Sequence, residues 1–197
     1  MLKRQTDLTS IKDHQEEWEK AVKEGISCLT QIANALQKGT FADGQSWGVL
    51  MDASALHDEL RNKLEREAHH SQHRLVSLID RLALLVAQMR HSCFYEALPI
   101  PEATWMKSEA TTMISKYQYE SYLQEIVAMY EQELFSKTLI AQDILDCPDY
   151  DTATMYIASW QMQPYVDKAR QIEILKLLCI DANPKKLSAS STHKLVK

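Results

Sequence analysis

The sequence predicts an all-α protein: a long antiparallel coiled-coil or helical hairpin followed by a small C-terminal helical bundle. Three observations carry this reading. The chain holds only 4 glycines and 5 prolines in 197 residues, whereas all-β and nucleotide-binding folds need glycine at specified turns and phosphate loops. From Trp18 onward Val22, Leu29, Ile32 and Leu36 alternate by four and three, with Gly25 in the slot between Val22 and Leu29; this is a heptad seam. Leu75, Leu78, Leu82, Leu85 and Met89 repeat the alternation.

The elements follow in order. The first helix is expected over Ser10–Lys38, with Ser10 and Asp13 as a capping box that has Asp in place of Glu and Gly39 as the stop. In the loop "GTFADGQSWGVLM", Phe41 and Trp47 are expected to plug onto the helices. A second helix runs from Asp52 or Ser54 to about Glu96; its polar first half carries only the thin stripe Leu56, Leu60 and Leu64. Roughly 45 helical residues span about 65 Å, more than a compact domain of this size offers. The helix is therefore expected either to break near His69–Ser71 or to project in part as a coiled-coil arm. The two prolines of "LPIPEATW" end it, and the main boundary falls at Leu98–Glu109. The chain thus divides into N-terminal coiled-coil helices over 1–98, a C-terminal helical region over 99–180, and a tail over 181–197 polar enough to be disordered. A third helix is expected from Ser115 to Asp146, with Ile126, Met129, Tyr130, Leu134, Ile140 and Ile144 along its apolar stripe. "CPDYD" makes a turn with Asp151 as N-cap. A fourth helix covers Thr152–Met162, Pro164 breaks it, and a fifth starts at Asp167 or Lys168 and ends near Ile180.

Net charge is −5, and the tail alone carries +3, which leaves −8 for the body. Nucleic-acid binders usually present a basic face, so direct nucleic-acid binding is not expected. No stretch approaches 18 uncharged apolar residues, so no membrane span is expected either. Cys28, Cys93, Cys147 and Cys179 form no C-x-x-C pair; they read as reduced, mostly buried thiols of a nuclear or cytoplasmic protein.

Candidate chemistry is sparse. His69 and His73 share a helical face at a spacing that can hold a metal, and Glu67 with His70 forms one Glu-x-x-His element, which di-metal bundles use twice. A second element is missing. A helical metal-binding or hydrolytic protein using His69, His70 and His73 is the alternative reading; a solvated helix face is the preferred one. No G-x-S-x-G elbow occurs, and Glu131 and Glu133 point to different helix faces. No catalytic centre, cofactor site or metal site is assigned. Aromatic residues crowd the C-terminal half: Trp105, Tyr117, Tyr119, Tyr122, Tyr130, Tyr150, Tyr156, Trp160 and Tyr165. Most are expected in core and rim, and part of the set in a binding face.

Two stretches carry a resemblance. "MYEQELFSK" (129–137) holds M-Y-x-x-E-L-x-x-K, and "YIASWQMQPYV" (156–166) holds Y-x-x-x-W-x-x-Q-P-Y-V. With Thr104-Trp105 upstream, their order and spacing resemble the cyclin-dependent kinase 2-interacting protein family over about residues 104–180. The basic N-terminal extension associated with that family is absent. The resemblance implies a non-enzymatic adaptor. Its expected partners are a coiled-coil subunit, AAA+ ATPases and a cyclin-dependent kinase, in late ribosome maturation, DNA replication and checkpoint signalling. The chain has no Ser-Pro or Thr-Pro dipeptide, and only a "KKL" triplet at Lys185–Leu187 resembles a cyclin-docking element. The AAA+ assembly is accordingly weighted above direct kinase regulation.

Expected partner-facing residues are Leu60 and Leu64, on the overhang of the hairpin, with Gln161 and Tyr165 at the rim of the aromatic corner. The expected core comprises Trp18, Leu78, Leu82, Met129, Tyr130, Leu134, Tyr156, Trp160 and Pro164. Trp160 and Tyr156 are expected to pack on the third helix near Met129, Tyr130 and Leu134, while Gln163 satisfies backbone at the turn.

Overall fold

In the computed structural model, described over residues 2–44, 47–50, 53–94 and 114–182, five α-helices and one 3₁₀ turn account for the regular structure, and no strand occurs among the described residues. The helices are α1 (Leu2–Gly44), α2 (Ser54–Phe94), α3 (Lys116–Asp143), α4 (Tyr150–Met162) and α5 (Lys168–Ala182). The protein is all-α. The expected break at Leu98–Glu109, the end of the second helix at Glu96 and the tail from residue 183 lie outside the described residues.

Local sequence explains the starts. Ser115 and Gln118 form a reciprocal box: the Gln118 N–H donates to Ser115 Oγ at 3.2 Å, and the Ser115 N–H donates to Gln118 Oε1 at 3.1 Å. The N-cap of α4 is Asp149, not the expected Asp151. Its extended backbone (φ −155) lets the carboxylate accept the Thr152 N–H at 2.7 Å, and Asp151 sits instead in the first turn, where the helix dipole favours it. Asp167 accepts the Arg170 N–H at 2.9 Å ahead of α5.

The first helix is longer at both ends than the expected Ser10–Lys38. Leu8 and Ile11 extend the buried stripe upstream, and the Ser10 hydroxyl lies 3.2 Å from His14 Nε2 rather than capping a helix. Gly39 does not stop α1, which continues to Gly44. The break expected near His69–Ser71 is absent as well. Leu64, Ala68, Ser71, Leu75, Leu78, Leu82, Leu85 and Met89 are all buried at alternating four-three spacing, so a single heptad seam runs through the polar half of α2.

Contacts divide the chain into two compact units. One unit combines α1 up to Glu17, α2 from Leu85, α3 up to Glu131 and α5. The other combines α1 from Trp18, α2 up to Leu84, α3 from Gln132 and α4. In the second unit α1 and α2 run antiparallel: Glu24 pairs with Arg81, the Ser71 hydroxyl donates to Gln31 Oε1 at 3.0 Å, and Asp43 pairs with Arg61. In the first unit Arg170 grips Glu125 through two bonds of 2.7 and 3.0 Å, and the Tyr130 hydroxyl donates to Gln171 Oε1 at 3.4 Å, joining α3 to α5.

Candidate interaction site

Within the second unit, the parts of the two resembling motifs that fall in it meet, Lys137 from the first reaching Trp160 of the second. α4 ends at Gln163, a non-glycine residue in the left-handed region (φ 50, ψ 64), whose N–H donates to Ser159 O at 3.2 Å. Pro164 follows and has no N–H to offer. The strained backbone is held by its own side chain. Gln163 Oε1 accepts the Trp18 indole N–H at 2.7 Å, and Nε2 donates to both carboxylate oxygens of Glu19 at 3.2 Å. The expected bond from Gln163 to backbone at the turn is therefore replaced by a bond to another helix.

Trp160 also turns to α1. Its indole N–H donates to Val22 O at 3.0 Å. Its ring occupies the space that a side chain at position 25 would need: a Cβ on Gly25 would lie 2.3 Å from Trp160 Cζ2. The glycine in the α1 seam is the socket for this tryptophan. Trp160 thus packs on α1, and the third helix reaches it as well, through Lys137. From α3, Lys137 Nζ donates to the Trp160 carbonyl at 2.7 Å, stands 4.6 Å over the Trp160 ring and lies 2.8 Å from Glu133 Oε1. Burial pushes the Lys137 ammonium below its usual range, and the Glu133 carboxylate opposes that shift.

Of the expected core, Trp18, Leu78, Leu82, Tyr130 and Trp160 are buried. Met129, Leu134 and Tyr156 are half-buried, and Pro164 is exposed. Tyr156 reaches Asp143 with its hydroxyl, which leaves the ring at the edge of α4. Pro164 contributes by steric exclusion at the turn, not by burial.

Of the expected partner-facing residues, Gln161 and Tyr165 are exposed, but Leu64 is not: it is buried with Ala35 and Ala68, and Leu60 and Leu145 pack against this cluster. The small side chains of Ala35 and Ala68 let α1 and α2 close over Leu64. Beside the cluster opens a groove of about 520 Å³, lined by α1 (Leu36, Gly39, Thr40, Asp43), α2 (Arg61, Leu64, Glu65, Ala68, His69) and the turn after α3 (Leu145, Asp146). A smaller recess of about 270 Å³ on the other flank of α1 involves Phe41, Cys147 and Tyr150. Phe41 is 57% exposed and does not plug the loop. Trp47 is half-buried, its indole N–H donating to Ala42 O at 2.9 Å. Elsewhere in this unit Phe135, Leu139, Met155 and Met162 are apolar yet exposed.

His69, His70 and His73 are exposed on α2, and among the described residues no group of three or more His, Cys, Asp or Glu side chains is placed to hold a metal ion. Cys28 is a buried free thiol, its pKa raised by desolvation; Cys147 and Cys179 are half-buried, less covered than expected. No helix among the described residues is long and apolar enough to cross a membrane.

The roles missed from the sequence are those of Gly25 as the socket for Trp160, of Gln163 as the link to α1, and of Glu133 and Lys137 as a buried pair. The signals were present: a glycine in a heptad slot, and an oppositely charged i,i+4 pair in buried register within the first motif.

An all-helical chain whose polar motif residues are used in holding helices together, with apolar grooves left open, fits a protein of interaction type. No family profile matches the chain. Over 98 residues it is 26% identical to Cyclin-dependent kinase 2-interacting protein of Xenopus laevis, a match covering 50% of this chain and 47% of that protein. The chain spans about half the length of this curated relative, which it resembles, and the likeness points to an interaction-type role with protein partners.

Proposed function

We propose that this chain is a non-enzymatic adaptor subunit that binds a coiled-coil partner and AAA+ ATPases in ribosome maturation and in DNA replication and checkpoint processes. It acts in the nucleus, the cytoplasm or both, and uses neither cofactor nor metal. The observation that carries the reading is the likeness to a protein named for its interactions. The geometry supports it: Trp18, Trp160, Gln163 and Lys137, the most chemically distinctive side chains of the second unit, are engaged with one another or with backbone. The absence of any Ser-Pro or Thr-Pro dipeptide places the AAA+ assembly ahead of a role as a proline-directed kinase substrate.

The test is affinity purification of the tagged chain from cells with mass-spectrometric identification. Near-stoichiometric recovery of a coiled-coil protein and an AAA+ ATPase is expected. Recovery of a cyclin-dependent kinase without either would move the reading to kinase regulation, and recovery of the chain alone would remove the adaptor role.

A further inference from the structure

We infer that the groove between the end of α1, the first turns of α2 and the turn after α3 is a docking site for one amphipathic helix of a partner protein, with a leucine-type ridge and Lys or Arg along its flanks. The inference rests on the adaptor reading only in requiring a protein partner.

Three properties of the groove select this occupant. Its volume, about 520 Å³, matches several side chains rather than one. Its floor is apolar and shallow: Ala35, Leu64 and Ala68 are buried there, with Leu145 against them. Small residues let an incoming helix approach closely. The walls are helices and a turn, so no sheet edge is offered to an extended peptide, and recognition falls to side-chain knobs at i, i+4 and i+7.

Charge sets the flanks. Asp43, Glu65 and Asp146 line the groove against a single guanidinium, Arg61, which is paired with Asp43. The body of a second copy, with a net charge of −8 over residues 1–180, would bring carboxylates against carboxylates. A basic helix is drawn in and oriented by the same rim.

Gly39 supplies the test. It lines the groove within α1, its backbone is helical, and a Cβ added there would meet nothing within 4 Å. A larger side chain at 39 therefore fills the groove without disturbing the core, and replacing a mid-helix glycine favours the helix itself.

The full chain would be titrated into a fluorescein-labelled synthetic helix of Leu and Lys, with leucines at i, i+3, i+4 and i+7, and anisotropy read at low and high salt. Wild type is expected to bind. Gly39→Leu should weaken binding about tenfold or more with a melting temperature at or above wild type, and Gly39→Ala should bind nearly as wild type. Exposed Glu65→Lys should weaken binding at low salt more than at high salt. The same helix with Glu for Lys should not bind. Equal binding by Gly39→Leu and wild type, absence of binding by wild type, or equal binding of the acidic helix would each overturn the inference. So would a wild-type dimer that Gly39→Leu dissociates, which would give the groove to a second copy. Co-purification from cells reads the adaptor role separately: partners recovered equally with wild type and Gly39→Leu would remove the groove and leave the adaptor.

Discussion

Gly25 and Trp160 are one feature written at two places in the chain. A methyl group at 25 would overlap the indole, so Gly25→Ala sets overpacking, about 1–3 kcal/mol, against a gain in helix propensity of about 1 kcal/mol. Trp160→Ala removes a fully buried ring and should cost about 3–5 kcal/mol, read as a fall in Tm of roughly 10 °C. In the Trp160→Ala background, Gly25→Ala should become stabilising. A thermodynamic cycle in which the two effects simply add would show that the contact carries no energy.

Lys137 gives a second residue-scale expectation. Its pKa is lowered from 10.5, chiefly by burial. The unfolded chain thus holds this proton to a higher pH than the folded one, so this group's contribution to stability rises as pH climbs from its folded pKa towards 10.5. Urea melts across that range should show wild type gaining on Lys137→Met. Lys137→Met alone removes the cation 2.8 Å from the buried Glu133 carboxylate and should cost about 3–5 kcal/mol, most of it recovered in Lys137→Met/Glu133→Leu. A double variant as weak as the single one would contradict the pairing.

At the scale of elements, caps and seams carry the fold. The carboxylate of Asp149 is held below its ordinary 3.8, first by the Thr152 N–H. The stability this lends is present above pH 3.8 and lost as pH falls through the lowered value. Asp149→Asn keeps the cap shape but not the charge, so its deficit against wild type should shrink on acidification; a deficit independent of pH would mean that charge plays no part. Leu64→Asp places a carboxylate in the buried cluster with Ala35 and Ala68 and should unfold the second unit by circular dichroism, as Leu78→Asp and Leu82→Asp should. Gln161→Ala, at an exposed position, should leave stability within about 0.5 kcal/mol.

The heptad seam and the α4 break at Pro164 were legible because periodicity and proline act locally. The ends of α1 were not. Gly39 is compatible with a helix once neighbouring helices supply the packing, and tertiary contact outweighs a local stop signal. Ala68 and Ser71 were passed over in α2 because small or polar residues weigh little in an apolar count, yet they hold the same register as the leucines. The socket at Gly25 needed a partner 135 positions away in sequence, which no window reveals.

At the scale of the whole molecule, three helices contribute to both compact units, a division that local periodicity and proline positions do not carry. Function was legible as class rather than as mechanism: Lys137, Trp160 and Gln163 of the two motifs hold the second unit together, and a locked fold with open grooves does not name its partner. His69, His70 and His73, all exposed on α2, are expected to hold no stoichiometric zinc or iron after dialysis; metal retained by wild type and lost from His69→Ala/His73→Ala would favour the metal reading.

The adaptor role itself is tested most directly by the mass of the native assembly isolated through the tagged chain from cells, measured by native mass spectrometry. The account predicts one dominant species containing this chain with at least one coiled-coil protein. The chain recovered by itself, as a monomer with no bound protein, would contradict it.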